Sequence, residues 1–178
     1  MQDADGVVLT LPPLLQTKNV SCGPTCVASV ATYWEKDYEA KFAPGGDFFV
    51  EEDFTATELG KLAEELGLAH FVYRGSLENV RENLEKGRPI IALIERPSYA
   101  NYSWLHLNNV PVTTIWNDLR PKKSHWVVIA GMVPGKVILH DPTAGMVAIP
   151  RGKFESLWLA KKNTCLLLVP PAKQSSGR

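Results

Sequence analysis

The sequence predicts an α+β domain in which a largely helical first half packs on an antiparallel sheet formed by the second half. Apolar residues recur at intervals of three and four over residues 22–34 and again after Thr55, as they do in amphipathic helices. Beyond residue 124, short apolar segments alternate with the turn sequences Pro134-Gly135 and Asp141-Pro142, which is typical of antiparallel hairpins.

The composition is that of one globular domain, and it excludes several functions. Of the 178 residues, 45% are hydrophobic, which is enough for a single core, so we expect one domain over residues 1–178 with flexible ends at 1–10 and 170–178. Lys plus Arg and Asp plus Glu number 19 each, so no net charge attracts nucleic acid or anionic lipid. No apolar segment reaches the roughly 20 residues of a membrane-spanning helix. The oligomeric state is left open.

The first elements place a cysteine at the start of a helix. Residues 7–15 are extended in character, and Pro12-Pro13 confines them to an edge segment. In the helix predicted over residues 22–34, Pro24 fits only the first turn. Cys22 therefore lies at the helix N-terminus, where Ser21 or Asn19 is a candidate cap.

The central part of the chain is predicted to hold two further helices. Thr55-Ala56-Thr57-Glu58 has the pattern of a capping box, and that helix ends at Gly67. The next helix begins after Ser76 and ends at Gly87. The remaining predictions here are an irregular loop over residues 41–53 and strands over 69–73 and 89–94.

The last part of the chain is predicted to be rich in strands. Residues 97–123 contain three prolines and several aromatic residues without a sustained period, which indicates a long loop or a protruding hairpin. After it we predict strands over residues 125–133, 136–140, 146–150 and 164–169, with a short helix over 151–158.

Cys22 is the candidate nucleophile. The sequence has three cysteines, which are too few, and odd in number, for a disulfide framework. The unpaired N–H groups and positive dipole end of a helix N-terminus favour thiolate over thiol. Gly23 would let a substrate carbonyl approach the backbone, whose N–H groups then hold the developing oxyanion. The alternative is that Cys22 is a small buried residue, as we predict for Cys26 and Cys165.

A nucleophilic cysteine needs a base, and the base needs an orienting group. His125 heads a strand, which would place it at a sheet edge next to a loop. Asp141 follows sixteen residues later, where a hairpin returns it towards His125. The Gln16 amide is a candidate oxyanion donor beside the backbone N–H of Cys22. Taken singly, His125 reads as a core histidine and Asp141 as a turn residue.

Other polar residues are weaker candidates. The Cys22 and Cys26 spacing does not match a Cys-x-x-Cys metal or redox site. His140 is adjacent to Asp141 and therefore points to the opposite face of its strand. His70 and His106 have no evident partners and are expected at the surface, whereas Trp126 either lines a cleft or packs in the core.

Four segments resemble the bacteriocin-processing (double-glycine leader) cysteine peptidases, which are papain-like. They are Leu14-Leu15-Gln16, Ser21-Cys22-Gly23-Pro24-Thr25-Cys26, Ser124-His125-Trp126-Val127-Val128-Ile129 and His140-Asp141-Pro142, within a similarity over residues 11–168. The resemblance implies a papain-like fold and names Cys22 as nucleophile, His125 as base and acid, Asp141 as orienting group and Gln16 as oxyanion donor. It also implies a peptide or protein substrate, cleaved through a thioester, including after small residues such as Gly-Gly. Gly23 and Trp126 are our candidates for contact with the substrate, and we expect neither metal nor cofactor.

Two departures from that family bear on specificity. The segment 97–123 is longer than the connection expected between the two strands that flank it. It either covers the cleft or has no role in substrate binding. Family members are often fused to a transporter, but this sequence has no spanning segment and no G-x-x-x-x-G-K-[ST] motif, so we expect a stand-alone enzyme. An acyltransferase or amidase on the same site and a non-catalytic peptide-binding module remain alternatives. The compartment is open: cytoplasmic, or periplasmic or exported if a signal peptide was removed.

Overall fold

The computed structural model describes residues 6–12, 14–16, 22–36, 54–97, 105–107, 110–112 and 124–171. The predicted loop over 41–53 and the candidate caps Ser21 and Asn19 lie outside these residues. The elements in chain order are β1 (Val7–Val8), α1 (Cys22–Tyr33), α2 (Ala56–Glu65), β2 (Ala69–Arg74), α3 (Leu77–Glu85), β3 (Ile90–Glu95), β4 (Leu105–Leu107), β5 (Val110–Val112), β6 (Ser124–Val133), β7 (Lys136–Asp141), β8 (Gly145–Pro150), α4 (Arg151–Leu159) and β9 (Thr164–Val169).

A seven-stranded antiparallel sheet forms the centre of the molecule. Its strand order is β2-β9-β3-β6-β7-β8, and β1 pairs with β6 beyond the end of β3. Val7 and Val8, which fall within the predicted flexible end, are thus hydrogen-bonded opposite Met132 and Gly131. Strands β4 and β5 form a separate antiparallel pair inside the segment 97–123. Of the two structures predicted for this segment, a long loop or a protruding hairpin, this pair agrees with the hairpin.

Helices cover both faces of the sheet. Alternate residues of β6 belong to different cores: Val128 and Ala130 pack with α1 and α2, whereas Val127 and Ile129 pack with α3 and α4. Because both faces are buried, β6 reads as a continuous apolar run. The predicted α+β class is confirmed, although β2 and β3 from the first half join the sheet and α4 from the second half covers it.

The ends of α2 and α3 are determined by local interactions. The Thr55 hydroxyl accepts a hydrogen bond from the Glu58 N–H, and Glu58 Oε2 accepts one from the Thr55 N–H at 2.7 Å, so the predicted capping box is present. Ser76 caps α3 by accepting from the Asn79 N–H at 3.1 Å. Gly67 and Gly87 follow the two helices with φ of 73° and 68°, a left-handed backbone that suits glycine.

Replacing Thr55 by alanine is expected to lower the free energy of unfolding by about 0.5–2 kcal/mol, because the first turn of α2 loses its side-chain cap. Urea unfolding followed by circular dichroism measures this change. Thr55→Ser is the matched control, since it keeps the hydroxyl. Equal stabilities of the alanine and serine variants would show that the capping box contributes nothing.

Candidate active site

Cys22 is the first residue of α1, as predicted, and its side chain is partly exposed. Pro24 lies in the first turn, where backbone N–H groups have no partner within the helix, so the N–H that proline lacks costs no hydrogen bond. From Gly23 to Ala31 the helix is buried, and its apolar residues pack against β6. This packing holds the thiol at the end of the sheet where β6 begins.

His125 and Asp141 come together across the β6–β7 hairpin, as predicted. The turn at Pro134-Gly135, with Gly135 at φ 73°, returns the chain so that His125 Nε2 lies 2.9 Å from Asp141 Oδ2. Both side chains are buried. Asp141 Oδ1 accepts from the N–H and the hydroxyl of Thr143, each at 2.7 Å, so the carboxylate is held from both sides.

His125 lies at the start of β6, as predicted, but the strand itself is interior. It has β3 on one side, where Ile94 is opposite His125, and β7 on the other. The reason is that β3 comes from the first half of the chain, and its long-range pairing is not visible in the local pattern around residue 125. His125 is accessible to Cys22 because it lies at the end of the strand.

The Cys22 thiol interacts with the His125 imidazole and with the backbone beside it. The Trp126 N–H donates to Cys22 Sγ at 3.5 Å. Burial raises the pKa of Cys22, but the hydrogen bond and positive charge of His125 outweigh it, and the net pKa is lowered. Since Nε2 of His125 is bound to Asp141, its other ring nitrogen is the one available to the sulfur.

The same contacts favour the protonated imidazole. Burial lowers the pKa of His125, but the charge and hydrogen bond of Asp141, together with Cys22, raise it to about 9. A lowered thiol pKa beside a raised imidazole pKa favours a thiolate–imidazolium pair at neutral pH. The arrangement is therefore suited to nucleophilic attack followed by proton donation.

Gly23 and Trp126 are in contact next to the thiol. A Cβ at position 23 would lie 2.9 Å from Leu59 Cδ2 and 3.2 Å from Trp126 Cδ1, so the Leu59 side chain would have to shift to admit one. The sequence suggested a different reason for glycine at this position, namely close approach of a substrate. Trp126 is buried, its Nε1–H donates to the Phe54 carbonyl at 2.9 Å, and it also lines the cavity described below.

The structure places Gln16 beside the turn that follows Asp141. The Gln16 N–H donates to the Pro142 carbonyl at 2.8 Å. Its Oε1 is buried and has no hydrogen-bond partner among the residues that the structure describes. The backbone bond to Pro142 thus anchors Gln16 to the strand that carries Asp141.

His140 has a structural role that sequence reasoning missed. It is fully buried on the α1 side of the sheet, and its Nδ1 lies 3.2 Å from Ser29 Oγ. The Ser29 hydroxyl donates to the Pro12 carbonyl at 3.1 Å, which leaves its oxygen to accept from His140. Burial lowers the pKa of His140. A histidine within an apolar strand was the available signal for this link between β7, α1 and the N-terminal segment.

The remaining candidates lie apart from this cluster. Cys26 and Cys165 are buried as predicted, and burial raises both thiol pKa values, that of Cys165 to about 12. His70 is not a partnerless surface residue, since its Nδ1 lies 3.2 Å from Glu64 Oε1. The side chain of His106 lies outside the described residues.

A cavity of about 290 Å³ adjoins the thiol. It is lined by Cys22, Gly23, Phe54, Thr55, Ala56, Leu93, Ser124, Trp126 and Thr164. Within the described part of the chain, no group of three or more His, Cys, Asp or Glu side chains is placed to hold a metal ion. Nor does any helix described here have the length and apolar character needed to cross a membrane.

Several solved structures share this fold. A double-glycine-motif protease from an AMS/PCAT transporter, solved with its leader peptide, is 21% identical with a TM-score of 0.60, over 92% of this chain and 94% of that one. A C39-like peptidase from Bacillus anthracis is 19% identical with a TM-score of 0.61, over 93% of this chain and 98% of that one. The peptidase domain of Streptococcus ComA is 17% identical with a TM-score of 0.62, over 90% of this chain and 97% of that one. These likenesses confirm the predicted papain-like fold.

Sequence comparison identifies the family directly. No curated protein matches the chain significantly. The model of the Peptidase_C39-like family, however, matches residues 8–166, which include both the thiol at the start of α1 and the histidine at the start of β6. The match spans most of the sequence, and the predicted resemblance is confirmed. The chain belongs to the Peptidase_C39-like family and is a cysteine peptidase.

Proposed function

We propose that this protein hydrolyses peptide bonds through a thioester on Cys22, with His125 as acid and base and Asp141 as its orienting group. The observation that carries the proposal is that His125 Nε2 lies 2.9 Å from Asp141 Oδ2, while the same imidazole lowers the pKa of the Cys22 thiol. A protein that only binds peptides needs no such arrangement of a thiol, an imidazole and a carboxylate.

Acylation begins from the thiolate–imidazolium pair. The Cys22 sulfur attacks the peptide carbonyl carbon, and the carbonyl π electrons move to oxygen. The backbone N–H of Cys22 and the Gln16 amide are the proposed donors to this oxyanion, as the helix N-terminus supplies positive potential there. When the oxyanion collapses, the C–N bond breaks and the leaving amine takes the proton from His125. A thioester and a neutral imidazole remain.

Deacylation restores the resting pair. Neutral His125 takes a proton from water, and the hydroxide attacks the thioester carbonyl. Collapse of the second oxyanion breaks the C–S bond, so that the carboxylic acid leaves and the Cys22 thiolate again faces the imidazolium. Asp141 keeps the imidazole oriented in both steps, because its other oxygen is bound by Thr143. If an amine replaced water here, the product would be a new amide.

Cleavage after small residues such as Gly-Gly is the specificity that the structural neighbours support. One of them is described as a double-glycine-motif protease and was solved with a leader peptide. Peptides with Gly-Gly before the scissile bond are therefore the first substrates to assay. Mass spectrometry of the products, with and without added amines, separates hydrolysis from acyl transfer.

Iodoacetamide at pH 6 is expected to alkylate Cys22 at least 10-fold faster than glutathione in the same solution, because the His125 imidazolium favours the thiolate. Peptide mapping locates the modified cysteine, and Cys26 and Cys165, both buried, are expected to stay unmodified. In the His125→Ala variant the rate advantage of Cys22 should disappear. An alkylation rate of Cys22 equal to that of glutathione would overturn the proposed mechanism.

A further inference from the structure

We propose that the cavity beside Cys22 binds a large apolar side chain of the peptide substrate, carried by a residue that directly flanks the scissile bond. The inference rests on the proposed function, since it assigns the substrate of the same thiol. It goes beyond cleavage after Gly-Gly, because it assigns a large apolar residue to one side of the scissile bond.

The position of the cavity determines which substrate residue reaches it. Cys22 and Gly23 form one part of its wall, so a side chain inside lies against the attacking sulfur itself. The peptide carbonyl must come within bonding distance of that sulfur. A side chain in the cavity therefore belongs to a residue beside the attacked carbonyl and not to a distant part of the substrate.

The size of the cavity suits a bulky group. Its volume of about 290 Å³ lies near the lower end of the roughly 300–1,000 Å³ found for small-molecule sites. A substrate with glycine on both sides of the bond would leave this cavity unfilled, so the residues that line it would make no van der Waals contacts with the substrate. Leucine, methionine or phenylalanine would recover those contacts.

The chemistry of the walls selects an apolar group. Phe54, Ala56, Leu93 and Trp126 contribute apolar surface, and apart from Cys22 no described residue that lines the cavity has an ionisable side chain. A charged substrate side chain would therefore lose water without gaining a charged partner.

Three polar side chains of the lining, those of Trp126, Thr55 and Thr164, are already engaged within the protein. The Trp126 Nε1–H donates to the Phe54 carbonyl at 2.9 Å. The Thr55 hydroxyl is bonded to Glu58 Oε2 at 2.7 Å, and the Thr164 hydroxyl donates to the Lys161 carbonyl at 2.7 Å. A polar substrate side chain would compete for groups that are already satisfied, so an apolar one fits better.

Ala56→Leu tests the assignment by filling the cavity. Ala56 is in the first turn of α2, and the added carbons enter the space that the substrate side chain would occupy. Thr57→Leu is the matched control, because it adds apolar volume on the same turn at an exposed position outside the lining. Both substitutions keep Cys22, His125 and Asp141.

The first measurement does not need turnover. N-benzyl iodoacetamide and iodoacetamide are compared as alkylating agents of Cys22, each normalised to glutathione. We expect the benzyl reagent to react at least 10-fold faster than iodoacetamide with the wild type and with Thr57→Leu. Ala56→Leu should lose this preference. Equal rates for both reagents in the wild type would overturn the inference. Slow reaction with plain iodoacetamide would overturn the proposed function instead.

The second measurement uses peptides. Two series vary one residue on either side of the scissile bond and keep glycine on the other side. We expect Leu, Met or Phe at one of these positions to raise kcat/KM roughly 10-fold to 200-fold over the peptide with glycine on both sides of the bond. Ala56→Leu should remove this gain, whereas Thr57→Leu should keep it. A fastest rate for the peptide with glycine on both sides in the wild type would contradict the inference and leave peptide hydrolysis by Cys22 standing.

Discussion

Cys22→Ala is expected to reduce peptide hydrolysis to the uncatalysed rate, a loss on the order of 10⁶-fold or more, the lower end of the accelerations that enzymes achieve. The reason is chemical, since no thioester forms without the sulfur. The His125 and Asp141 pair, held 2.9 Å apart by the β6–β7 hairpin, should stay in place. Release of new amino termini from a Gly-Gly peptide, and from the apolar series described above, measures the loss.

The same substitution at a buried thiol serves as the control. Cys165→Ala removes a sulfur that lies in the core between β9 and α4, so it should leave kcat/KM within about 2-fold. A thermal melt of both variants separates loss of activity from loss of folding. Residual activity of Cys22→Ala above that of buffer would assign the chemistry to another group.

Asp141→Asn is expected to lower kcat/KM at pH 7 by about 10²-fold to 10⁴-fold, the usual contribution of a positioned acid or base. The carboxylate charge is a principal cause of the raised His125 pKa, about 9 in the wild type. With a neutral amide at 141 that pKa falls, so less imidazolium faces Cys22 at neutral pH. The thiolate is then less favoured, because the His125 charge lowers the Cys22 pKa.

The pH profile gives the sign of the effect. His125 is protonated below its raised pKa, so wild-type kcat/KM should decline as the pH rises through about 9, where the acid for the leaving amine is lost. In Asp141→Asn this alkaline limb should move to lower pH. The limb belongs to the coupled thiol and imidazole and not to His125 alone. An alkaline limb at the same pH in both proteins would show that Asp141 does not set the charge of His125.

Thr143→Val separates orientation from charge. It removes the hydroxyl that donates to Asp141 Oδ1 at 2.7 Å but keeps the carboxylate, so kcat/KM should fall modestly while the alkaline limb stays near that of the wild type. A shift of the limb as large as that of Asp141→Asn would mean that hydrogen bonding, more than charge, determines the pKa of His125.

Features that depend on neighbouring residues were predictable from the sequence. The capping box at Thr55, the helix ends at Gly67 and Gly87 and the start of α1 at Cys22 agree with the structure. Each arises within a few residues, from a side chain that bonds a nearby N–H or from a left-handed glycine. The return of Asp141 to His125 also belongs here, since one hairpin joins them.

Contacts between distant segments were not predictable in the same way. Strand β6 is interior because β3 pairs beside it, and His140 reaches Ser29 over 111 residues. The cavity depends on Phe54, Leu93 and Thr164, which approach Cys22 only when β3 and β9 pair and α2 packs beside α1. No local pattern encodes which strand becomes the neighbour of another.

The amino-acid sequence by itself therefore determined the kind of chemistry: a thiol at a helix start, and an imidazole and carboxylate joined by a hairpin. Each of these follows from short-range propensity and hydrogen bonding. Only the tertiary structure decided the electrostatics and the shape of the site. Burial and charge at Cys22, and the apolar cavity beside it, exist because packing of remote elements removes water from their shared surface.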